Sequence, residues 1–281
     1  MSIPFCKFHG FGNDYIVIES EKLPAGTALP ALARAICNRH TGAGSDGIAV
    51  LERLDGTDAD FACEIVNPDG SIAGFSGNGT RCAIAYLHYM GIWSDADLRL
   101  RTRSGVKNYH LLSSSGRHFE FRAEIGKPRF SSSAVPFATD TPLEFVLDRE
   151  VSVCDQSILV SAVNVGNPVA CIFVESFDFD WRCIGREMEV HPIFPDRANI
   201  VFVKVVDKGN IELRIWERGA GETSASGTCS GGAAVLCAQT GRTGRNVAVQ
   251  TPGGTTAVVW RDDDEMILTG TADLAYSGQW P

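Results

Sequence analysis

The chain has 281 residues, 44% of them hydrophobic and 21% charged, the balance of an ordinary soluble globular protein with length enough for two domains. A net charge of −9 and a pI near 5.2 argue against nucleic acid or an anionic membrane as the main partner. No apolar run approaches the ~18 residues of a membrane span and no charged-then-apolar leader opens the chain, so a cytoplasmic protein is expected.

In chain order, residues 3–9 run into the Gly-rich turn His9-Gly-Phe-Gly-Asn-Asp14 and then into Tyr15-Ile-Val-Ile18, which predicts strand, turn, strand. Leu29, Leu32, Ala35 and Ile36 recur at helical spacing and predict a helix over 29–39. After Thr41-Gly-Ala-Gly-Ser-Asp-Gly47 come strands over 48–51 and 61–66, then a helix of small and apolar residues over 78–90. Strands follow over 98–101, 106–112 and 119–123, with Ser113-Ser-Ser-Gly-Arg117 as the candidate domain boundary and a Pro-bearing loop over 131–141. Strands are also expected at Cys171-Ile-Phe-Val174, Asn199-Ile-Val-Phe202 and over 266–276, the last crossing back to complete the first half.

The second half repeats the first. Ser76 and Ser226 stand 150 residues apart, as do Asn67 and Glu217; the pairs Gly12-Asn13 and Gly166-Asn167 are offset by 154, and Gly47 and Asn199 by 152. Four landmarks in one order at nearly one offset imply an internal duplication, far too long in period for a solenoid. The expected fold is mixed α/β (α+β): two pseudo-symmetric domains, each a strand-rich sheet or barrel wrapped around a central helix. Their expected extents are residues 1–117, completed by 269–281, and 118–268.

In both repeats an apolar run ends in a polar residue, crosses a Gly-rich loop and reaches a Ser-Gly pair that opens a small-residue helix. Such a loop offers backbone N–H groups and the positive end of a helix dipole to an anion or a developing negative charge. The plainer role for Ser76 and Ser226 is as N-caps, for which serine is a preferred residue. The nine cysteines (Cys6, Cys37, Cys63, Cys82, Cys154, Cys171, Cys183, Cys229 and Cys237) include no C-x-x-C and read as reduced thiols. The six histidines form no ligand-spaced group, so no metal site is expected.

The motifs Thr41-Gly-Ala-Gly-Ser-Asp-Gly47, Asn67-x-Asp-Gly-Ser71, Ser76-Gly-Asn-Gly-Thr-Arg-Cys82, Gly166-Asn-Pro168 and Glu217-Arg-Gly-Ala-Gly-Glu-Thr223 together resemble the diaminopimelate epimerase family. They span His9 to about Gly232, in the family's order. The resemblance implies a ligand cleft between the two domains and inversion at an amino-acid α-carbon by one cysteine thiolate and one thiol, with no cofactor. It implies that Asn13, Asn67, Asn167, Asn199, Glu217 and Arg218 bind the substrate's amino and carboxylate ends, and that Gly77, Asn78, Gly227 and Thr228 are the loop donors. It also implies a small-molecule amino acid as ligand and, as is common for such enzymes, a homodimer. Each residue has a plainer role too: Asn13 and Asn67 as turn formers, Glu217-Arg218 as an exposed ion pair.

The chain departs from the family pattern at the positions of both catalytic cysteines, which are Ser76 and Ser226, and at Val169, where the family has a histidine. A helix N-terminus tunes a thiol to a thiolate, whereas a serine hydroxyl acts as base or nucleophile only beside an activating group. No histidine lies in either loop, which leaves Glu217 as the carboxylate for acid–base work. Cys82 matches a family cysteine and reads as packing; Cys229 reads as filler or as a substitute base. Three functions follow: an amino-acid enzyme with altered chemistry (dehydration, cyclisation or another isomerisation), an epimerase or racemase whose cysteines were replaced, and a binding protein that has lost catalysis.

Overall fold

The computed structural model describes residues 2–56 and 58–281. Two compact units emerge: the chain up to Glu124 together with Thr269–Pro281, and Ile125–Leu268. Ser113–Arg117, read from sequence as a boundary, is instead the end of a hairpin in which Ser115 pairs with His118. The polar run is a turn between long strands, and the chain passes from one unit to the other further on, inside the second of them.

The first unit contains β1 (Ile3–Gly10), β2 (Asn13–Glu19), α1 (Leu29–Ile36), β3 (Ile48–Arg53), β4 (Phe61–Val66), β5 (Ile72–Ala73), α2 (Gly77–Tyr89), β6 (Asp97–Thr102), β7 (Gly105–Ser115) and β8 (His118–Gly126). β1 and β2 form a hairpin, α1 crosses over to place β3 parallel to β2, and α2 crosses over to place β6 parallel to β4. The final strand returns along β1, pairing Ile3 with Trp280 and His9 with Asp273, and also pairs with β8. The eight long strands thereby close into a barrel with no free edge. Every residue of α2 from Gly77 to Leu87 is buried, and the helix packs against β1, β2, β3 and β4. Glycine, alanine, threonine and cysteine on all its faces let the strands wrap closely, which is why this helix shows no apolar stripe.

The second unit repeats the pattern with β9 (Val146–Val153), β10 (Gln156–Asn164), β11 (Pro168–Phe173), α3 (Trp181–Glu189), β12 (Asn199–Asp207), β13 (Asn210–Glu217), β14 (Gly221–Thr223), α4 (Gly227–Gln239), β15 (Asn246–Thr251), β16 (Gly254–Trp260) and the start of β17 (Met266–Trp280). Pairing sense is conserved step for step: antiparallel β10–β11, parallel β11–β12 across α3, antiparallel β12–β13 and parallel β13–β15 across α4. α4 is buried from Gly227 to Cys237. α3 is amphipathic, with Trp181, Ile184 and Met188 facing a core that includes Val160, Ile172, Ile200 and Phe202. Among the described residues no helix is long and apolar enough to cross a membrane.

A charged cluster locks the β1–β2 turn to the loop before β3. Asp14, buried, accepts from Arg39 at 2.8 and 3.1 Å and from the Asp46 N–H at 2.8 Å, and its carboxylate lies 2.7 Å from Lys7 Nζ. Burial by itself raises the Asp14 pKa, but the hydrogen bonds from Arg39 and Lys7 outweigh it and hold the carboxyl below its ordinary value. A carboxyl depressed in the folded state stabilises the fold above its unfolded pKa of about 3.9, and that contribution is lost as the pH falls through the folded value. The urea midpoint is therefore expected to drop as the pH is lowered below about 4, and Asp14→Asn to start lower and to flatten that slope.

Candidate active site

Each Gly-rich loop delivers its serine to the N-terminus of the buried helix of its own unit, and the two serines are used differently. Ser76 is the N-cap of α2 in side chain as well as position: its Oγ accepts the Gly79 N–H at 3.1 Å. The same Oγ lies 2.9 Å from the Tyr15 hydroxyl. Tyr15 is buried and its ring is seated against two glycines; a Cβ on Gly47 or on Gly79 would meet the ring at 2.8 and 2.9 Å respectively. Ser226 occupies the N-cap position of α4 but caps nothing with its side chain. Its hydroxyl donates instead to Glu217 Oε2 at 2.9 Å, while Thr223 Oγ1 donates to Glu217 Oε1 at 2.8 Å. N-capping, the plain expectation for both serines, thus holds in full only for Ser76.

The sequence put no histidine in either loop and left Glu217 as the carboxylate. The fold sets that carboxylate against Ser226 and a phenol against Ser76. Glu217 ends β13 and Thr223 ends β14, so the short β13–β14 hairpin, with Glu217 paired to Gly221, carries the carboxylate and one of its donors to the mouth of α4. Tyr15 is the residue sequence reasoning missed. Its signal was its place two residues after Asn13, beside glycines that a ring can pack on. At the duplicated positions, Val169 stands for Tyr15 and Cys229 for Gly79, a smaller residue where the first repeat has an aromatic and a larger one where it has none.

The remaining candidate residues divide between the loops and the framework behind them. Asn78, buried in the first turn of α2, donates to Asn13 Oδ1 at 3.1 Å and accepts from the buried Arg81; Asn13 donates to Asp46 Oδ2 at 2.8 Å. Asn67 shapes its own turn, donating to Ser71 Oγ at 2.9 Å, with the Gly70 N–H on its carbonyl. Asn199 is 4% exposed and bridges two backbones, donating to the Pro168 carbonyl at 3.0 Å and accepting the Arg218 N–H at 3.0 Å. It thereby ties the Gly166-Asn167-Pro168 turn, where Asn167 is half-buried, to the Glu217 turn. Arg218 is exposed and donates to the Asp196 carbonyl at 3.0 Å. Gly77 and Gly227 open the two helices, and Thr228 Oγ1 lies 3.4 Å from Ser226 Oγ.

Glu189, at the end of α3, is a positioning residue that the sequence did not single out. It is 5% exposed, pairs with Arg197, and accepts from Trp216 Nε1 at 3.0 Å and from the Gly219 N–H at 2.7 Å. These bonds grip the chain on both sides of Glu217. Cys229 is fully buried, and burial with the nearby Glu217 drives its thiol well above the ordinary range. It is a neutral filler at physiological pH, as Cys82 is.

The chain matches the diaminopimelate epimerase family over residues 5–130 and 161–275. The diaminopimelate epimerase of Pelotomaculum thermopropionicum is 36% identical over 279 residues, covering 99% of this chain and 98% of that one. The chain belongs to the diaminopimelate epimerase family.

Solved structures extend the likeness at the level of fold. A hydroxyproline epimerase from Agrobacterium vitis superposes with a TM-score of 0.75 at 16% identity, covering 99% of this chain and 92% of that one. A phenazine biosynthesis protein of the PhzF family from Bacillus anthracis gives 0.70 at 15% identity, covering 100% and 99%. As a member of the diaminopimelate epimerase family, an isomerase family, the chain carries two buried-helix units whose serine-bearing loops have unlike partners, a phenol in one and a carboxylate in the other.

Proposed function

We propose that this protein is a cofactor-independent enzyme of the diaminopimelate epimerase type that acts at or next to the α-carbon of a polar amino acid, with a hydroxyl–carboxylate pair in place of two thiols. The observation that carries this reading is the opposite hydrogen-bonding sense of the two serines. Ser226 gives its proton to Glu217, so its lone pairs and the carboxylate behind it act as an oriented acceptor. Ser76 accepts from the Gly79 N–H and shares a hydrogen bond with the Tyr15 hydroxyl in which either oxygen can donate; when Tyr15 donates, the Ser76 proton is left to point toward a ligand. One loop is built to take a proton and the other to give a hydrogen bond or a proton. Glu217 is the base, Ser226 bridges to it, and Ser76 backed by Tyr15 is the donor.

Such a polarised pair suits a one-directional proton transfer: loss of the α-proton followed by loss of water, ring closure or another isomerisation. Symmetric inversion asks either side to serve as base. Arg218, exposed beside the Glu217 turn, favours a ligand with a polar far end, and Asn199 holds the turn that carries it. The test is incubation in deuterium oxide with a panel of polar amino acids, including the diaminopimelate stereoisomers, followed by NMR. Deuterium at Cα, or a dehydrated or cyclised product, is expected with at least one of them. No exchange and no product with any of them, despite calorimetric binding, would overturn the reading in favour of a binding protein.

A further inference from the structure

Away from the two loops, the second unit brings together three metal-ligating side chains that no motif in the sequence announces. Cys154 Sγ and Cys183 Sγ lie 3.1 Å apart, Glu187 Oε1 is 4.0 Å from Cys183 Sγ, and the three ligand atoms all fall within 4.8 Å of one another. Cys183 and Glu187 are four residues apart in α3 and so share a helix face. Cys154 comes from the β9–β10 turn, where it and Asp155 both take positive φ, 47° and 56°. That is the conformation of a two-residue hairpin turn, normally given to Asn or Gly. A β-carbon is disfavoured there, yet this turn carries a thiol and aims it at α3. The Cys154 N–H reaches the other Glu187 oxygen at 3.2 Å.

We propose that Cys154, Cys183 and Glu187 form a binding site for a thiophilic divalent cation of the zinc class, with solvent completing a tetrahedral shell. Two sulfurs at about 2.3 Å from one ion stand about 3.8 Å apart in tetrahedral geometry, so binding requires the thiols to separate by about 0.7 Å from their 3.1 Å spacing, a small χ adjustment. The pair is within reach of solvent. Of the nine cysteines only these two are not buried, and Cys154 lines two adjoining surface hollows, one with Glu187 and His191, the other with Cys183 and Asp180. The surrounding field favours a cation: Asp155 and Asp180 border the hollows, and Arg242 is paired with Asp148 and stacked 3.8 Å over Phe173.

Two sulfurs and a carboxylate crowded together repel one another when ionised, and that crowding turns into attraction once a divalent ion sits among them and displaces the thiol protons. The site staples the β9–β10 turn to the start of α3, the helix whose far end carries Glu189 and its grip on the Glu217 turn.

The test uses the full chain, stripped with a chelator and titrated with Zn²⁺ alone or with Cd²⁺ as a spectroscopic probe. One equivalent is expected to bind, with a thiolate-to-cadmium charge-transfer band and an upward shift in Tm. Cys154→Ser and Cys183→Ser are each expected to weaken binding on the order of 100-fold and Glu187→Gln by about 10-fold, while Cys6→Ser leaves it unchanged. Glu187 is exposed, so its variant keeps the test open if a cysteine variant fails to fold. The proposal is overturned by no Cd²⁺ uptake, by uptake that the Cys154, Cys183 and Glu187 variants leave untouched, or by conversion to a Cys154–Cys183 disulfide under mild peroxide in the presence of excess Zn²⁺. None of these results bears on turnover of an amino acid, so this site and the proposed function stand or fall separately.

Discussion

Glu217→Gln is expected to lower the rate of α-carbon deuterium exchange by about 10²- to 10⁴-fold, the range attributable to a positioned general base, with KM changed far less. The substitution keeps the side chain's size, and its amide oxygen can still accept from Ser226 or Thr223, so the loop should hold its shape while losing the group that takes the proton. Ser226→Ala tests the bridge. If Ser226 passes the proton to Glu217, the alanine variant loses activity too, and the double variant is no worse than Glu217→Gln alone, because residues acting as a unit are not additive. Full activity in Glu217→Gln would show that the carboxylate merely ties the hairpin to α4 and would remove the basis for a polarised pair.

How much of this could be read from the sequence depended on whether the physics was local. The duplicated loops were legible because glycines and a Ser-Gly step mark each one, and the same offset relates the flanking strands. The central helices were legible as buried from their small residues alone. Tyr15 was not, since a hydroxyl 61 residues away in the chain reaches Ser76 only after the barrel has formed. The hairpin at Cys154-Asp155 was invisible for a local reason: it uses side-chain-bearing residues at positive φ where glycine or asparagine would have announced a turn. α3 could have been found from Asp180 as N-cap and Trp181, Ile184 and Met188 at helical spacing, but its run of charges obscured the stripe. The Cys154–Cys183 pair went unseen because a search for C-x-x-C or spaced histidines tests only donors close in sequence.

The duplication also explains why the two serines have come to differ. Each repeat must fill the space between its second strand and the first turn of its central helix. The first does so with an aromatic on glycine, Tyr15 against Gly47 and Gly79, and the ring brings a hydroxyl to Ser76. The second has Val169 and Cys229 at the equivalent places, with Gly232 taking the valine: a Cβ there would come within 2.9 Å of Val169. With no phenol in that half, Ser226 turns to the carboxylate at the end of β13. The unlike partners of the two serines are thus a consequence of packing.

Gly47→Ala is accordingly expected to be among the most damaging single-methyl changes in the first unit. The added carbon would sit 2.8 Å from the Tyr15 ring and 3.0 Å from the Val66 carbonyl, and the second contact is backbone that has little freedom to retreat. Overpacking of this kind costs about 1–3 kcal/mol, which for a chain of this size lowers Tm by roughly 5 °C. Moving the ring aside would also break the Tyr15–Ser76 contact, so the exchange rate should fall with stability. Combining Gly47→Ala with Tyr15→Val, the residue of the second repeat, removes the clash with the ring but leaves the one with Val66. About half of the lost stability should therefore return, while the activity should not, because the phenol that orients Ser76 is gone. Thermal unfolding and α-proton exchange measured on the four proteins of that cycle separate the two roles. If the double variant recovers activity along with stability, Tyr15 only fills space; if it recovers neither, the Val66 carbonyl rather than the ring dictates the glycine.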